Sequence, residues 1–101
     1  MASRLQLQKE LENLGIPNVY FQPPENVKLK YPACIYHLSQ IRSSYAADMP
    51  HSVKVRYNLL YITKDPDDVM IEKLAWAFST MSHGHSYVHD GLYHHSFDLY
   101  Y

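Results

Sequence analysis

Val53-Lys-Val-Arg-Tyr-Asn-Leu-Leu-Tyr-Ile-Thr63, running straight into Lys64-Asp65-Pro66-Asp67-Asp68, decides how the rest of the 101-residue chain is organised. Its first half alternates. Val53, Val55 and Tyr57 share one face and Lys54, Arg56 and Asn58 the other, the period of two that marks a half-buried strand. Over residues 59–62 the alternation stops and both faces turn apolar. The strand therefore enters a region covered on both sides, while its first half keeps a polar face for water or a partner. Asp65 reads as the N-cap of a following helix, with Pro66 at its first position and Asp67 and Asp68 in its first turn, where carboxylates meet the positive end of the helix dipole.

Upstream, Pro32 opens a second extended run, Ala33-Cys-Ile-Tyr-His-Leu-Ser-Gln-Ile-Arg42, apolar on both faces at its start and increasingly polar toward Ser43-Ser44. That gradient is the reverse of the first. The two runs are predicted to pair as an antiparallel hairpin with a buried base and a far end, residues 43–51, that projects with Tyr45, Met49 and Pro50 near its tip. Small domains seldom build so long an arm for their own stability, and such arms commonly touch neighbours, a merely mobile loop being the alternative.

Downstream, Met70, Ile71, Leu74, Ala77, Phe78 and Met81 fall on one broad helical face, with Gly84 after His83 as the stop signal. Val69 and Trp76 lie on a second stripe, seven positions apart. At about 100° per residue they project beside Lys73 and Thr80, away from the core face. A tryptophan there is either covered by the first helix or the loop over 23–30, or is reserved for a partner. The closing segments, His85-Ser-Tyr-Val-His89 and Leu92-Tyr-His-His-Ser-Phe-Asp-Leu-Tyr-Tyr101, read as a hairpin on an Asp90-Gly91 type I′ turn, with Tyr93, His95, Phe97, Leu99 and Tyr101 facing the core. At the start of the chain, Ser3 is a suitable N-cap for a helix whose Leu7, Leu11 and Leu14 form a stripe ending at Gly15. A brief strand over 18–22 and a loop over 23–30 follow. Residues 1–101 thus read as one α+β domain: a mostly antiparallel sheet, two helices packed on one face, and a long projecting β-hairpin arm.

Composition narrows the function. Apolar residues make up 47% and charged residues 19%, ordinary globular values, but ten of the fourteen aromatics are tyrosine, which suits an interaction surface as well as strands. Residues 1–64 hold eight Lys/Arg against four Asp/Glu, and residues 65–101 one against six, so the chain is electrically bipolar and suited to stacking head to tail with its own copies. A pI near 6.6 argues against a basic nucleic-acid face. The sequence has no run long enough to span a membrane and no apolar stretch of a signal peptide near its start, so a soluble, unexported protein is expected. The single cysteine, Cys34, suits a buried position in a reducing compartment.

Seven histidines invite a metal site, and His83, His85, His89, His94 and His95 crowd the last twenty residues. In the Asp-Gly register His85, His89 and His94 share a face. Yet His85 and His89 would stand roughly 13 Å apart at about 3.3 Å per residue, too far for one ion, so no metal and no cofactor is expected and the histidines are read as facing solvent. Cys34 and His37 resemble a nucleophile and its base in type, but on a strand i and i+3 point to opposite faces. No phosphate loop, nucleophile elbow or carboxylate pair in a cleft-forming context is present, Asp65, Asp67 and Asp68 being explained by capping, and the chain does not read as an enzyme.

Tyr31-Pro32-Ala33-Cys34-Ile35-Tyr36, the strand segment Arg56-Tyr57-Asn58-Leu59, the helix entry Lys64-Asp65-Pro66-Asp67, and the closing Asp90-Gly91-Leu92-Tyr93-His94-His95 with Phe97-Asp98-Leu99-Tyr100 together resemble the tail terminator, or tail completion, proteins of long-tailed bacteriophages. The likeness spans roughly residues 31–101. The chain departs from it at Met81-Ser-His-Gly-His-Ser86. The resemblance implies a structural virion subunit, assembled in the host cytoplasm as a ring of six, that caps the major tail tube protein and joins it to the head-side connector or stopper. DNA would pass through the lumen without sequence-specific binding. Contacts are expected from Arg42, Tyr45, Met49, His51, Lys54 and Arg56 on the arm and from Val69 and Trp76 on the helix. Two alternatives stand beside it: another head-tail neck subunit, and a ferredoxin-like nucleic-acid-binding module, which would also call for basic residues beside its aromatics.

Overall fold

The computed structural model describes residues 4–46 and 49–101, with side chains over 4–39 and 55–101. Elements follow in the order α1 (Arg4–Asn13), β1 (Asn18–Phe21), β2 (Ala33–Ala46), β3 (Met49–Thr63), α2 (Met70–Ala77), β4 (Met81–His89) and β5 (Leu92–Tyr100). The strands form one sheet in the order β1-β2-β3-β5-β4. β1 runs parallel to β2, and every other neighbouring pair is antiparallel. The architecture is α+β, a mostly antiparallel five-stranded sheet with two helices. The Ser3 cap lies outside the described residues.

β3 sits at the centre. It pairs with β2 from Ala33↔Ile62 to Ala46↔Met49 and with β5 from Thr63↔Tyr93 to Arg56↔Tyr100. Val55, Tyr57, Leu59 and Tyr61 all point to the core face and are buried, as their alternation requires. They cluster with Cys34 and Tyr36 of β2, Phe97 and Leu99 of β5, Leu7 and Leu11 of α1, Ile16, and Met70 and Leu74 of α2. Each large apolar side chain in that cluster stabilises the fold by roughly 1.5–3 kcal/mol relative to exposure. On the opposite face Ala33, Ile35 and Ile62 are buried as well, and Leu60 between them is half-buried.

Several tyrosines serve the interior instead of an external surface. Tyr36 is fully buried; its hydroxyl donates to Gln8 Oε1 and accepts from Arg4 Nη1 at 3.3 Å, tying α1 to the sheet. Arg4 also lies over the Phe21 ring, 4.6 Å from its centre, and Phe21 packs on Tyr36 with centres 4.9 Å apart. A buried phenol needs such partners, since an unmatched hydroxyl in the core costs a few kcal/mol.

The helix entry corrects the sequence expectation. Asp65 does not cap α2: its Oδ1 accepts the Asp67 N–H at 2.9 Å and closes a local turn. Val69 occupies the N-cap position without a side-chain bond, and Asp68 supplies the acceptor, its Oδ1 taking the Met70 N–H at 2.9 Å. Its other oxygen, Oδ2, accepts from Tyr61 at 2.5 Å and Thr63 at 2.8 Å. Two hydroxyls on β3 thus select which aspartate starts the helix. The helix end also moves. Phe78 is extended (φ −130°, ψ 132°) and its ring meets Tyr101 edge-on at 5.9 Å, so α2 stops at Ala77 and Met81 begins β4. Strand pairing with β5 outweighs the helical periodicity that placed Met81 and the Gly84 stop on a helix.

Asp90 (φ 52°) and Gly91 (φ 73°) both take the left-handed conformation that a type I′ turn demands, and the registers 89↔92 and 87↔94 are those the two-residue loop predicts. Between His83↔Phe97 and Ser86↔His95, however, Gly84 and His85 stand opposite a single residue. Gly84 is this bulge's close-approach point. A Cβ there would lie 3.2 Å from Ser96 Oγ.

Asp68 gives a test of the fold. Burial pushes its carboxyl up, but the bonds from Tyr61, the Met70 N–H and Thr63 outweigh that and hold it below the usual carboxylate range. Its contribution is therefore complete above the unfolded value of about 3.9 and is lost as pH falls through the lower folded value. Asp68→Ala should cost about 1–3 kcal/mol in urea denaturation at neutral pH. The gap between the two proteins should close on acidification; a gap that stays constant would remove Asp68 from this role.

Candidate interaction surfaces

α2 turns Met70 and Leu74 into the core and leaves its other side bare. Trp76 is 87% exposed and Val69 64%, so neither α1 nor the loop over 23–30 covers the tryptophan. A shallow groove of about 320 Å³ lined by Pro66, Asp67, Asp68, Val69, Ile71 and Glu72 lies at the start of this helix. Carboxylates thus flank the apolar stripe. Of the other expected contact residues, Arg56 is half-buried and its guanidinium reaches Asp98 at 3.0 Å across β3 and β5. Its Nε is enclosed with no partner among the described residues. The side chains of Arg42, Tyr45, Met49, His51 and Lys54 lie outside the described residues.

The hairpin formed by β2 and β3 continues beyond the rest of the sheet. β1 pairs only with residues 33–36, and β5 reaches only to Arg56, with one further bond from the Tyr101 N–H to the Val55 carbonyl. Past that point the two strands remain paired with each other, through one register shift between Ser44 and Tyr45, to Ala46↔Met49.

The histidines divide between the two faces of the β4–β5 hairpin. On the face away from the core, His85, Tyr87 and His94 stack, with ring centres 5.6 Å and 4.7 Å apart. His94 is buried, its Nδ1 beside the Leu92 carbonyl at 3.0 Å, and this corrects the expectation that all the histidines face solvent. His37, Asn58, Leu60, His85, Tyr87 and Ser96 line a groove of about 250 Å³ on this face. On the core-side face, Ser86 Oγ lies 3.0 Å from His83 Nε2 and 2.7 Å from His95 Nδ1. Burial, and then His83, holds His95 below the usual histidine value, while Asp68 pulls the other way. This trio was not legible in the sequence, because the bulge at Gly84 is what sets His83 and Ser86 against Phe97 and His95.

Cys34 and His37 are not brought together. Cys34 is fully buried on the core face, where burial pushes its thiol up to about 12, and His37 is exposed on the other. Among the described residues no group of three His, Cys, Asp or Glu side chains is placed to hold a metal ion, and no helix is long and apolar enough to cross a membrane. Comparison with known protein families finds no matching family model, and no curated protein matches the chain.

Proposed function

We propose that the chain is a structural subunit that assembles as a ring of six at the end of a phage tail tube, terminates the tube, and joins it to the head-side connector while DNA passes through its lumen. Trp76 carries the reading. A fully formed helix that buries one side and presents a tryptophan to water on the other resembles an unfilled contact, since tryptophan is concentrated where interfaces derive their energy. The likeness of residues 31–101 to tail terminators supplies the setting.

The layout of the sheet supports the same reading. The strand residues that cluster with Leu7 and Leu11 of α1 and with Met70 and Leu74 of α2 share one face, so both helices belong on that face. Past Arg56 the hairpin forms an arm of about seven residues per strand, roughly 20 Å at about 3.3 Å per residue. The arm carries Arg42 and Lys54, and the groove at the start of α2 carries Asp67, Asp68 and Glu72 beside Val69. An arm that meets the neighbour's α2 is a heterologous contact, which closes into a ring when repeated. A neck subunit on the head side would use the same contacts. The stacked His85, Tyr87 and His94 favour a second reading, single-stranded nucleic-acid binding, which salt-sensitive retention on such a matrix would reveal.

Cryo-electron microscopy of the particle containing this chain should place it as one six-membered ring between tail tube and connector; a monomer or a two-fold dimer there rejects the proposal. Trp76→Ala should change subunit stability by no more than about 0.5 kcal/mol, because the side chain is exposed. It should nonetheless abolish ring formation, as loss of a contact worth about 2 kcal/mol or more would. Removing residues 44–50 should leave the far-ultraviolet circular dichroism of the sheet intact and give tails of uncontrolled length. Normal tails from that variant would reduce the arm to a loop.

A further inference from the structure

β4 borders the sheet and is bare. Among the described residues it pairs with β5 alone, and each of its residues after Met81 is exposed. Met81-Ser-His-Gly-His-Ser-Tyr-Val-His89 holds no Lys, Arg, Asp, Glu or Pro. An edge strand offers a row of unpaired N–H and C=O groups, and proteins ordinarily blunt it with charge, proline, a bulge or a covering element. Here the Gly84-His85 bulge is the one such device within the strand. Tyr87 and Val88, 44% and 61% exposed, stand on alternate faces, so apolar surface flanks this edge on both sides.

The opposite border has a matching gap. β1 covers β2 only along residues 33–36; then the Gln22 N–H bonds the Tyr36 carbonyl, and Gln22 Oε1 accepts the Leu38 N–H at 3.1 Å. From residue 39 to 46, β2 has β3 on one side and, among the described residues, no strand on the other. Polarity fits too. β2 is antiparallel to β3, β3 to β5, and β5 to β4, so β2 and β4 run in opposite directions. A second copy set beside the first in the same orientation brings its β2 antiparallel to β4, the more stable ladder.

We infer that β4 of one copy pairs, as an antiparallel strand, with residues 39–46 of the next copy's β2, so that the sheet continues from subunit to subunit. The inference rests on the proposed ring for its closure. The occupant is a second copy because the two free edges are nine and eight residues long, lie on opposite borders and have the required polarity. Pairing of two β4 edges with each other would leave the β2 edge uncovered and set His83, His85 and His89 of one copy against the same three of its partner.

Hydrogen–deuterium exchange on the intact chain, dilute and then concentrated until it associates, reads these backbone groups directly. Amides in residues 81–89 and 39–46 should both slow on association, with native mass spectrometry giving the copy number. Protection in 81–89 alone indicates self-pairing of β4 and overturns the inference. Protection in neither segment, or a chain that stays monomeric at its solubility limit, overturns it as well. Both segments protected in a dimer or an open filament uphold the pairing and reject the ring of six, so the two ideas fail separately. Val88→Lys, at an exposed position, should leave the melting transition in place and prevent association; undiminished association by a folded Val88→Lys variant would also count against the pairing.

Discussion

β3 is hydrogen-bonded on both sides from Arg56 to Ile62, and that double pairing governs where the neighbouring strands and the start of α2 can go. Its register decides which side chains face the helices: a slip of one residue would turn Tyr57, Leu59 and Tyr61 to the opposite face and expose them. The pairing also fixes the end of β3. Tyr61 and Thr63 reach one carboxylate, Asp68, whose other oxygen takes the first free N–H of α2. Strand register and helix start are therefore one constraint. α1 is held separately, through the Tyr36 hydroxyl with Gln8 and Arg4, and through Tyr101, whose hydroxyl donates to Glu10.

Much of this was legible in the sequence where a local period or a local turn decided the outcome. The alternation over 53–58, the leucine stripe at Leu7 and Leu11, and the register of the Asp90-Gly91 turn are each set by residues close in the chain. The departures come from distant partners. Asp65, with Pro66 after it, has every local feature of a cap, yet Asp68 is chosen by two hydroxyls on a strand that precedes it. Met81 continues the α2 stripe by spacing, but pairing with Leu99 takes it into β4. The bulge that brings Ser86 between His83 and His95 depends on the fit of Gly84 over Ser96, a contact no periodicity records. The outward stripe of Val69 and Trp76 was legible because helical projection is purely local.

Tyrosine content reads differently once the fold is known. Tyr36, Tyr57 and Tyr61 are buried, and Tyr36 meets Tyr57 edge to face with ring centres 6.0 Å apart and planes inclined at 62°. Burial, with help from Glu10, pushes the Tyr101 hydroxyl up to about 12, so this anchor of α1 stays protonated at neutral pH. Part of the tyrosine content thus serves the core, where Tyr36 and Tyr61 find polar partners for their hydroxyls. Among the described residues the large apolar side chains left exposed are instead Leu5, Val27, Leu38, Val69, Trp76, Tyr87 and Val88.

A domain of this length buries only about 60–70% of the surface its unfolded chain exposes, so its margin of stability is small. Apolar surface left outside the core is then stabilisation the isolated subunit forgoes. Trp76 is the largest such side chain among the described residues, and β4 adds a row of backbone groups with no strand beside it among those residues. Neither is needed for the core, because α2 already buries Met70 and Leu74 and β5 is already paired on both sides. Their exposure places them outside the folding of one copy, where association would stabilise the native state by mass action. An edge that is bare of charge and proline is tolerable in a chain whose assembly covers it, and a liability in one that stays alone.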